Sequence, residues 1–286
     1  MVLVEKNILT LDLLMFPSHD MLLQCSDKQS IVYVEHCKIF VKNDSVWKQD
    51  SVCAESLQIA FISVILLGPG TSITHDAATL LGSFNVLISW CGENGFSMYS
   101  VSMSPVYNMK NARKQIHLIE TDKINIARKI YEKRFGKTYN LENMTINNMM
   151  LMEGNILKSI YKEMAKKYSI FWNGRHAQFK NIECDDIVNK TLTLCNGALY
   201  SVVNSIIYSL GFIPQIGVIH TSGSTPLAYD IADIYKTATT IECSFKYASE
   251  NNTVDKKKIF DFLKNTFEKE NIMQKISSDI LDIFSL

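Results

Sequence analysis

The chain has 286 residues, of which 47% are hydrophobic and 20% are charged, and this composition excludes a disordered protein. Its seven cysteines are scattered without a CxxC pair, which argues against a disulfide scaffold and favours a reducing compartment. Since the sequence shows no secretory signal pattern either, we expect a cytoplasmic protein.

The net charge of zero conceals a division of charge along the chain. Residues 1–100 carry a charge of −5, residues 101–180 carry +9 and residues 181–286 carry −4. Segment 110–137 alone holds nine basic residues and three acids. A local basic surface of this kind binds a phosphate backbone even when the whole protein is neutral. The alternative is a helix whose charged face is simply solvated.

The first hundred residues predict β-strands, because apolar and polar positions alternate or because short apolar runs are bounded by turns. The predicted strand segments are 31–41, 59–67, 86–90 and 96–101. A Gly-Pro-Gly turn follows Leu67, and Thr74 after it is typical of the N-cap of a short helix.

Helical patterns predominate after Ser104 and Pro105, where we place a domain boundary. The predicted domains are a β-rich domain at 1–103 and an α-helical domain at 104–286. Predicted helices include one beginning near residue 108 and others at 149–168, 190–211, 229–236, 254–269 and 272–284. Strands followed by helices indicate an α+β protein, with an N-terminal β-sandwich-like domain and a larger all-α domain.

Segment 190–220 has no charged residue between its ends, which raises the question of a membrane span. The run is interrupted by Asn196, Asn204, Gly211 and Pro214, and it lacks a stop-transfer pattern at its flanks. A buried central helix that ends at Gly211 fits these interruptions better.

The segment 217–236 concentrates residues with the chemistry of a site. His220 ends an apolar run, and Asp230, Asp233 and Lys236 follow at intervals of three, so that a helix places them on one face. Two carboxylates on one face repel unless a cation lies between them. A divalent metal held by His220 and an aspartate is one interpretation, with nitrogen and oxygen ligands that suit Mn²⁺ or Mg²⁺. The alternative is an ordinary helix with a salt bridge to Lys236.

Glu153 stands among apolar residues in the sequence MMLMEGNIL. Acidic side chains avoid buried positions unless they are paired or coordinate a metal, so Glu153 is a candidate site residue. The alternative is that it lies on the solvent-facing stripe of its helix.

Several longer motifs run through most of the chain: LGPGT at 67–71, RKIYEKRFGK at 128–137, MEG at 152–154, WNGR at 172–175, ALY at 198–200, IGVIHT at 216–221 and YDIADIYK at 229–236. With them the sequence resembles the family of CRISPR-associated protein one, the integrase of CRISPR spacer acquisition, and most closely its type I-E branch. The resemblance is weakest over residues 1–58 and after residue 250.

The resemblance implies a catalytic helical domain with a site for Mg²⁺ or Mn²⁺ formed by Glu153, His220 and Asp233, with Asp230 beside it. It also places Tyr200 near the scissile phosphate, where its phenol hydroxyl would bind a phosphate oxygen. From its composition alone, the surrounding segment is equally compatible with Tyr200 as a core aromatic residue.

The resemblance further implies DNA contacts that position the duplex without reading its sequence. The candidate DNA-binding residues are Lys110, Arg113, Lys114, Arg128, Arg134, Lys158, Arg175 and Lys236. His36 falls near an aromatic residue that the type I-E branch uses to brace the end of the prespacer, and the alternative is a surface histidine without a role.

The implied activity is insertion of a short prespacer duplex into the CRISPR repeat by transesterification, with a 3′-hydroxyl attacking a phosphodiester. The implied partners are double-stranded DNA and CRISPR-associated protein two, with a homodimer of this chain inside a larger complex and no membrane. Two alternatives remain open: a metal-dependent nuclease that cuts structured DNA without integrating it, and a non-catalytic DNA-binding scaffold subunit.

Overall fold

The structure is a computed structural model that describes residues 30–84, 86–92, 98–102, 109–175 and 186–285. Its strands are β1 (Ser30–Val34), β2 (Lys38–Lys42), β3 (Ser45–Gln49), β4 (Ala54–Leu57), β5 (Ile62–Leu67), β6 (Ser72–Ile73), β7 (Leu87–Cys91) and β8 (Met98–Val101). Its helices are α1 (His75–Ser83), α2 (Met109–Phe135), α3 (Ile146–Lys167), α4 (Ile187–Ser209), α5 (Pro226–Tyr235), α6 (Glu242–Glu250), α7 (Lys256–Lys269) and α8 (Ile272–Ile283).

The N-terminal region contains two four-stranded sheets, in the orders β1-β5-β7-β8 and β4-β3-β2-β6. In the first sheet β1, β5 and β7 are parallel and β8 is antiparallel to β7. The two sheets share one apolar core, in which Ile39 and Val46 from the second sheet pack with Ile65 and Leu67 from the first. This β region followed by helices confirms the predicted α+β class.

Segment 31–41 differs from the prediction because it forms two strands in different sheets. β1 pairs with β5, whereas β2 pairs with β3 and β6. Between them His36 adopts φ 48°, and its amide donates a hydrogen bond to the carbonyl oxygen of Pro69 at 2.9 Å. Alternating hydrophobicity continues through this turn, so the pattern conceals the change of sheet.

The short helix predicted after the Gly-Pro-Gly turn is confirmed as α1. Thr74 caps it, and its hydroxyl accepts a hydrogen bond from the amide of Ala77 at 3.3 Å. The predicted boundary between residues 103 and 104 lies outside the described residues, as does most of the turn before β8.

The predicted buried central helix is α4. Leu199, Val203, Ile206 and Ile207 are buried on it, and the helix contacts α5, α6, α7 and α8. Gly211 follows its end with φ 75°, a conformation that glycine adopts without strain. In the part of the chain that the structure describes, no helix has the length and apolar character needed to cross a membrane.

Helix α2 packs against α5, α3 and α8, and it bends at Asp122, where the backbone is not helical (φ −143°). Its buried face includes Leu118, Ile126, Ile130 and Tyr131. Residues 237–250, for which we made no prediction, form a π-helical turn (Thr237–Ile241) and then α6. The helices α2, α3 and α5 together surround the candidate site.

Candidate active site

The loop before α5 brings His220 back to the start of that helix. A side chain at Gly217 would place its Cβ 2.2 Å from the carbonyl oxygen of His220, so only glycine permits this close approach. Pro226 begins α5, where its missing amide hydrogen and fixed φ suit the first turn. The amide of Leu227 donates to the carbonyl oxygen of Pro214 at 3.0 Å, which ties the loop to the helix.

Asp230 holds this loop in place. Its Oδ2 accepts hydrogen bonds from the amides of Val218 at 2.6 Å and Ile219 at 3.0 Å. Its Oδ1 accepts from the amide of His220 at 2.9 Å and lies 2.7 Å from Nδ1 of the same imidazole. Since Asp230 is only 1% exposed, these contacts satisfy a carboxylate that would otherwise be costly to bury.

The contact between Asp230 and His220 fixes the orientation of the imidazole. With Nδ1 donating to the carboxylate, Nε2 of the neutral ring keeps its lone pair for a ligand. The hydrogen bond to Asp230 raises the pKa of His220 despite partial burial, and the charges of Asp233 and Glu153 raise it further. Asp230 therefore sets both the orientation and the basicity of the His220 imidazole.

Arg134 on α2 connects the other two predicted ligands. Its Nη1 lies 2.6 Å from Oε1 of Glu153 on α3 and 3.3 Å from Oδ2 of Asp233 on α5. The Arg134 side chain is 3% exposed, and the two carboxylates are 15% and 10% exposed. Side chains from α2, α3 and α5 thus meet at one buried guanidinium, that of Arg134.

Two further side chains complete these contacts. The hydroxyl of Tyr131, one turn before Arg134 on α2, donates to Oε2 of Glu153 at 2.8 Å. Lys236 forms an ion pair with Oδ1 of Asp233. Burial lowers the pKa of Lys236, but the contacts with Asp233 and Tyr200 together outweigh this effect and raise the pKa, so the ammonium stays protonated.

We call these side chains the acid–base cluster; its members are Glu153, Asp233, Asp230, His220, Arg134, Lys236 and Tyr131. Of the two interpretations of the 217–236 segment, the metal site stays a prediction. The salt bridge between Lys236 and Asp233 is present. The carboxylates of Asp233 and Glu153 nevertheless reach one common cation across two helices.

The donor set fits a divalent cation. Among the described residues, no three His, Cys, Asp or Glu side chains are already arranged around a single ion position. The carboxylates of Glu153 and Asp233, however, both lie within 3.3 Å of one positively charged nitrogen of Arg134. Two carboxylate oxygens and an imidazole nitrogen are the ligand types that Mg²⁺ and Mn²⁺ accept in proteins.

Tyr200 on α4 is half-buried next to the cluster. Its ring forms an edge-to-face contact with Tyr229, with 4.9 Å between ring centroids, and the Lys236 ammonium lies 4.8 Å from its centroid. Burial raises the pKa of its phenol, so the hydroxyl remains a hydrogen-bond donor at neutral pH. Its predicted contact with a phosphate stays a prediction.

The candidate DNA-binding residues divide into two groups. At the start of α2 Lys110, Arg113 and Lys114 are exposed, and we call these three the outer basic face. Lys158 is exposed on α3, and His36 is exposed in the turn after β1.

The remaining four candidates contact other parts of the protein. Arg128 donates to the carbonyl oxygen of Leu141 at 3.1 Å, and Arg175 donates to that of Asn189 at 3.1 Å. Arg134 and Lys236 belong to the acid–base cluster, where their charges face carboxylates.

Our sequence interpretation missed the roles of Arg134 and Tyr131 in holding Glu153. Arg134 counted only as a candidate for phosphate contact, and Tyr131 appeared only within the motif RKIYEKRFGK at 128–137. Their spacing of three residues on α2 places them on one face, which is the only local signal. Nothing in the sequence indicates that this face meets Glu153.

Comparison with known proteins finds a matching family model, similar sequences and similar solved structures. The family model of CRISPR associated protein Cas1 matches residues 137–261. Over 272 residues the chain is 34% identical to the CRISPR-associated endonuclease Cas1 2 of Chlorobaculum tepidum, covering 94% of this chain and 92% of that one. It is 33% identical to the CRISPR-associated endonuclease Cas1 of Clostridium sp. SY8519, covering 79% and 75%. Among solved structures, the TtCas1–DNA complex superposes with a TM-score of 0.70 at 25% identity, covering 91% of this chain and 97% of that one.

Proposed function

We propose that this chain, which belongs to the Cas1 family of CRISPR-associated proteins, is a metal-dependent DNA integrase of CRISPR adaptation. The proposed reaction inserts a short prespacer duplex at the ends of the CRISPR repeat. In it the 3′-hydroxyl oxygen of the prespacer forms a bond to the repeat's phosphorus, and the bond from that phosphorus to the repeat's own 3′-oxygen breaks.

One observation carries this proposal. Glu153 and Asp233, from α3 and α5, contact the same nitrogen of Arg134. The His220 imidazole is held by Asp230 of α5, and the charges of both other carboxylates contribute to its raised pKa. Buried acids and a histidine from separate segments, with shifted pKa values and ionic partners, are typical of a functional site.

Each of these residues has a distinct part in the proposed site. Glu153 and Asp233 supply oxygen ligands and His220 supplies Nε2, while Asp230 acts as a positioning residue that fixes the imidazole. A bound Mg²⁺ or Mn²⁺ would polarise the phosphodiester and stabilise the charge on the leaving oxygen. Tyr200 would donate a hydrogen bond to a phosphate oxygen beside this site.

The outer basic face and Lys158 would contact the DNA backbone. These side chains are exposed, as a contact with a phosphate requires. The similarity to a Cas1 structure determined with DNA supports double-stranded DNA as the substrate. Arg128 and Arg175 stay weaker candidates, because their donors already contact protein oxygens. His36 stays a candidate for bracing the end of the duplex.

The proposed assembly is a homodimer of this chain bound to CRISPR-associated protein two. The motifs WNGR and YDIADIYK support the type I-E-like branch, which stays a prediction because relatives from several different bacteria match over most of the chain.

The test is an integration assay with a labelled short duplex, a plasmid that carries a CRISPR repeat, the partner protein and Mn²⁺. We expect joined product from the wild type and none from His220→Ala. Lys257→Ala, at an exposed lysine of α7 outside the cluster, serves as the control and should integrate normally.

The other outcomes separate the alternatives. Equal product from wild type and His220→Ala would overturn the assignment of the site. Cleaved but unjoined DNA would indicate a structure-specific nuclease. DNA binding without cleavage or joining under any metal condition would indicate a scaffold subunit.

A further inference from the structure

We propose that Arg134 is the resident counter-ion of the active site, and that a divalent metal ion binds Glu153 and Asp233 by displacing it. This inference rests on the metal site of the proposed function. It assigns to Arg134 a position inside the site, where it competes with the metal for the same oxygen atoms.

Geometry gives the first reason. Nη1 of Arg134 lies 2.6 Å from Glu153 Oε1 and 3.3 Å from Asp233 Oδ2. Metal–oxygen bonds to Mg²⁺ or Mn²⁺ are about 2.0–2.2 Å long, so an ion bound by these two oxygens would lie within a few ångströms of the guanidinium nitrogen. The two cations therefore compete for the same oxygen atoms.

The incomplete bonding of Arg134 gives the second reason. Its Nε and Nη2 are buried and have no hydrogen-bond partner among the described residues. Arg128, two turns earlier on the same helix, donates from all three of its nitrogens, to Leu141, Asn125 and Glu142. Arg134 is thus held by charge at one nitrogen rather than by a full set of hydrogen bonds, and it has donors left for another acceptor.

Charge gives the third reason. Without a metal, Glu153 and Asp233 require cations nearby, and Arg134 and Lys236 provide them. With a divalent ion in place, the positive charge of Arg134 becomes repulsive. Arg134 therefore stabilises the metal-free protein and weakens metal binding, so that removing its charge should have opposite effects on these two properties.

The test measures Mn²⁺ binding to the full-length protein by electron paramagnetic resonance, from the loss of the signal of free Mn²⁺. We expect Arg134→Gln to bind Mn²⁺ about tenfold more tightly than wild type. Its melting temperature in EDTA should fall, and Mn²⁺ should raise that temperature by more than in wild type. Arg128→Gln is the matched control, and its Mn²⁺ affinity should equal that of wild type.

The outcomes also distinguish this inference from the proposed function. If wild type binds Mn²⁺ and Glu153→Gln loses binding, while folded Arg134→Gln binds no more tightly than wild type, the metal site stands and displacement is wrong. If wild type binds no Mn²⁺, both are wrong.

A second measurement uses the wild-type protein and does not depend on the folding of a variant. The sequence has only four arginines, at positions 113, 128, 134 and 175, so ¹⁵N-arginine labelling yields few side-chain signals. Titration with Mg²⁺ should shift the Nε signal of Arg134 and leave that of Arg128 in place. A signal of Arg134 that stays unchanged at saturating Mg²⁺ would overturn the displacement.

Discussion

The outer basic face and the acid–base cluster both use cations from α2, and they use them in opposite ways. Arg113 and Lys114, near the start of the helix, are exposed, whereas Arg134 at its end is 3% exposed and contacts two carboxylates. The difference arises from what packs against each end, since among the described residues α3 and α5 bring Glu153 and Asp233 to the C-terminal end. A count of basic residues therefore does not measure how much charge a helix offers to DNA.

The largest expected effect is a loss of stability when Asp230 of the acid–base cluster is replaced. Asp230→Ala leaves three amides and the His220 imidazole without their acceptor. We expect a loss of about 3 kcal/mol in the free energy of unfolding, measured by urea denaturation. Asp261→Ala, at an exposed carboxylate of α7, should change it by less than about 0.5 kcal/mol. A similarly small loss for Asp230→Ala would show that these hydrogen bonds do not hold the loop.

The next effect concerns the outer basic face, where we expect weaker DNA binding without loss of stability. The double change Arg113→Ala and Lys114→Ala should lower the affinity for duplex DNA about tenfold. The slope of log affinity against log salt concentration should fall by the equivalent of about two phosphate contacts. Fluorescence anisotropy at several salt concentrations measures both quantities. The control is Lys257→Ala with Lys258→Ala on α7. Equal salt slopes for the two double variants would remove the outer basic face from the DNA-binding surface.

A smaller effect is expected at Lys133, a cation on the same helix that has acidic partners. Its ammonium lies 2.8 Å from Asp279 and 2.7 Å from Asp282, both on α8. Lys133→Met should lower the free energy of unfolding by about 1 kcal/mol and leave the salt slope of DNA binding unchanged. Lys137→Met, at an exposed lysine, is the control for stability. A reduced salt slope for Lys133→Met would place this lysine with the outer basic face instead.

The smallest effect is the pH dependence that His220 gives to the metal-free protein. The pKa of its imidazole is raised above 6.5, first by the hydrogen bond to Asp230 and then by the charges of Asp230, Asp233 and Glu153. Protonated His220 therefore contributes stability that is fully present below about pH 6.5 and is lost as pH rises through the raised pKa.

This dependence is measured in EDTA by urea denaturation of wild type and His220→Gln from pH 5.5 to pH 9. The stability advantage of wild type should shrink as pH increases through the raised pKa of His220. An advantage that stays constant over this range would mean that His220 does not gain charge-dependent stability from the cluster.

Much of the fold was predictable because each signal is local. These local signals are Thr74 before α1, Gly211 after α4 and the uncharged run between residues 190 and 220. Each acts through residues that are close to it along the chain. The turn at His36 was not predictable, since a single residue with positive φ interrupts a strand pattern without changing its alternation. The candidate ligands Glu153, His220 and Asp233 followed from unusual residue types and from the family resemblance, and their roles stay predictions.

Most helices and strands could be predicted from spacing along the chain, except the break at His36 and residues 237–250. Which charges meet depends on how the helices pack. Arg134 and Arg113 look alike in sequence, and their different surroundings result from contacts with α3 and α5, whose residues lie far away along the chain. Electrostatic interactions act through space at a few ångströms, so the packing of the helices determines whether an arginine faces solvent or a pair of carboxylates.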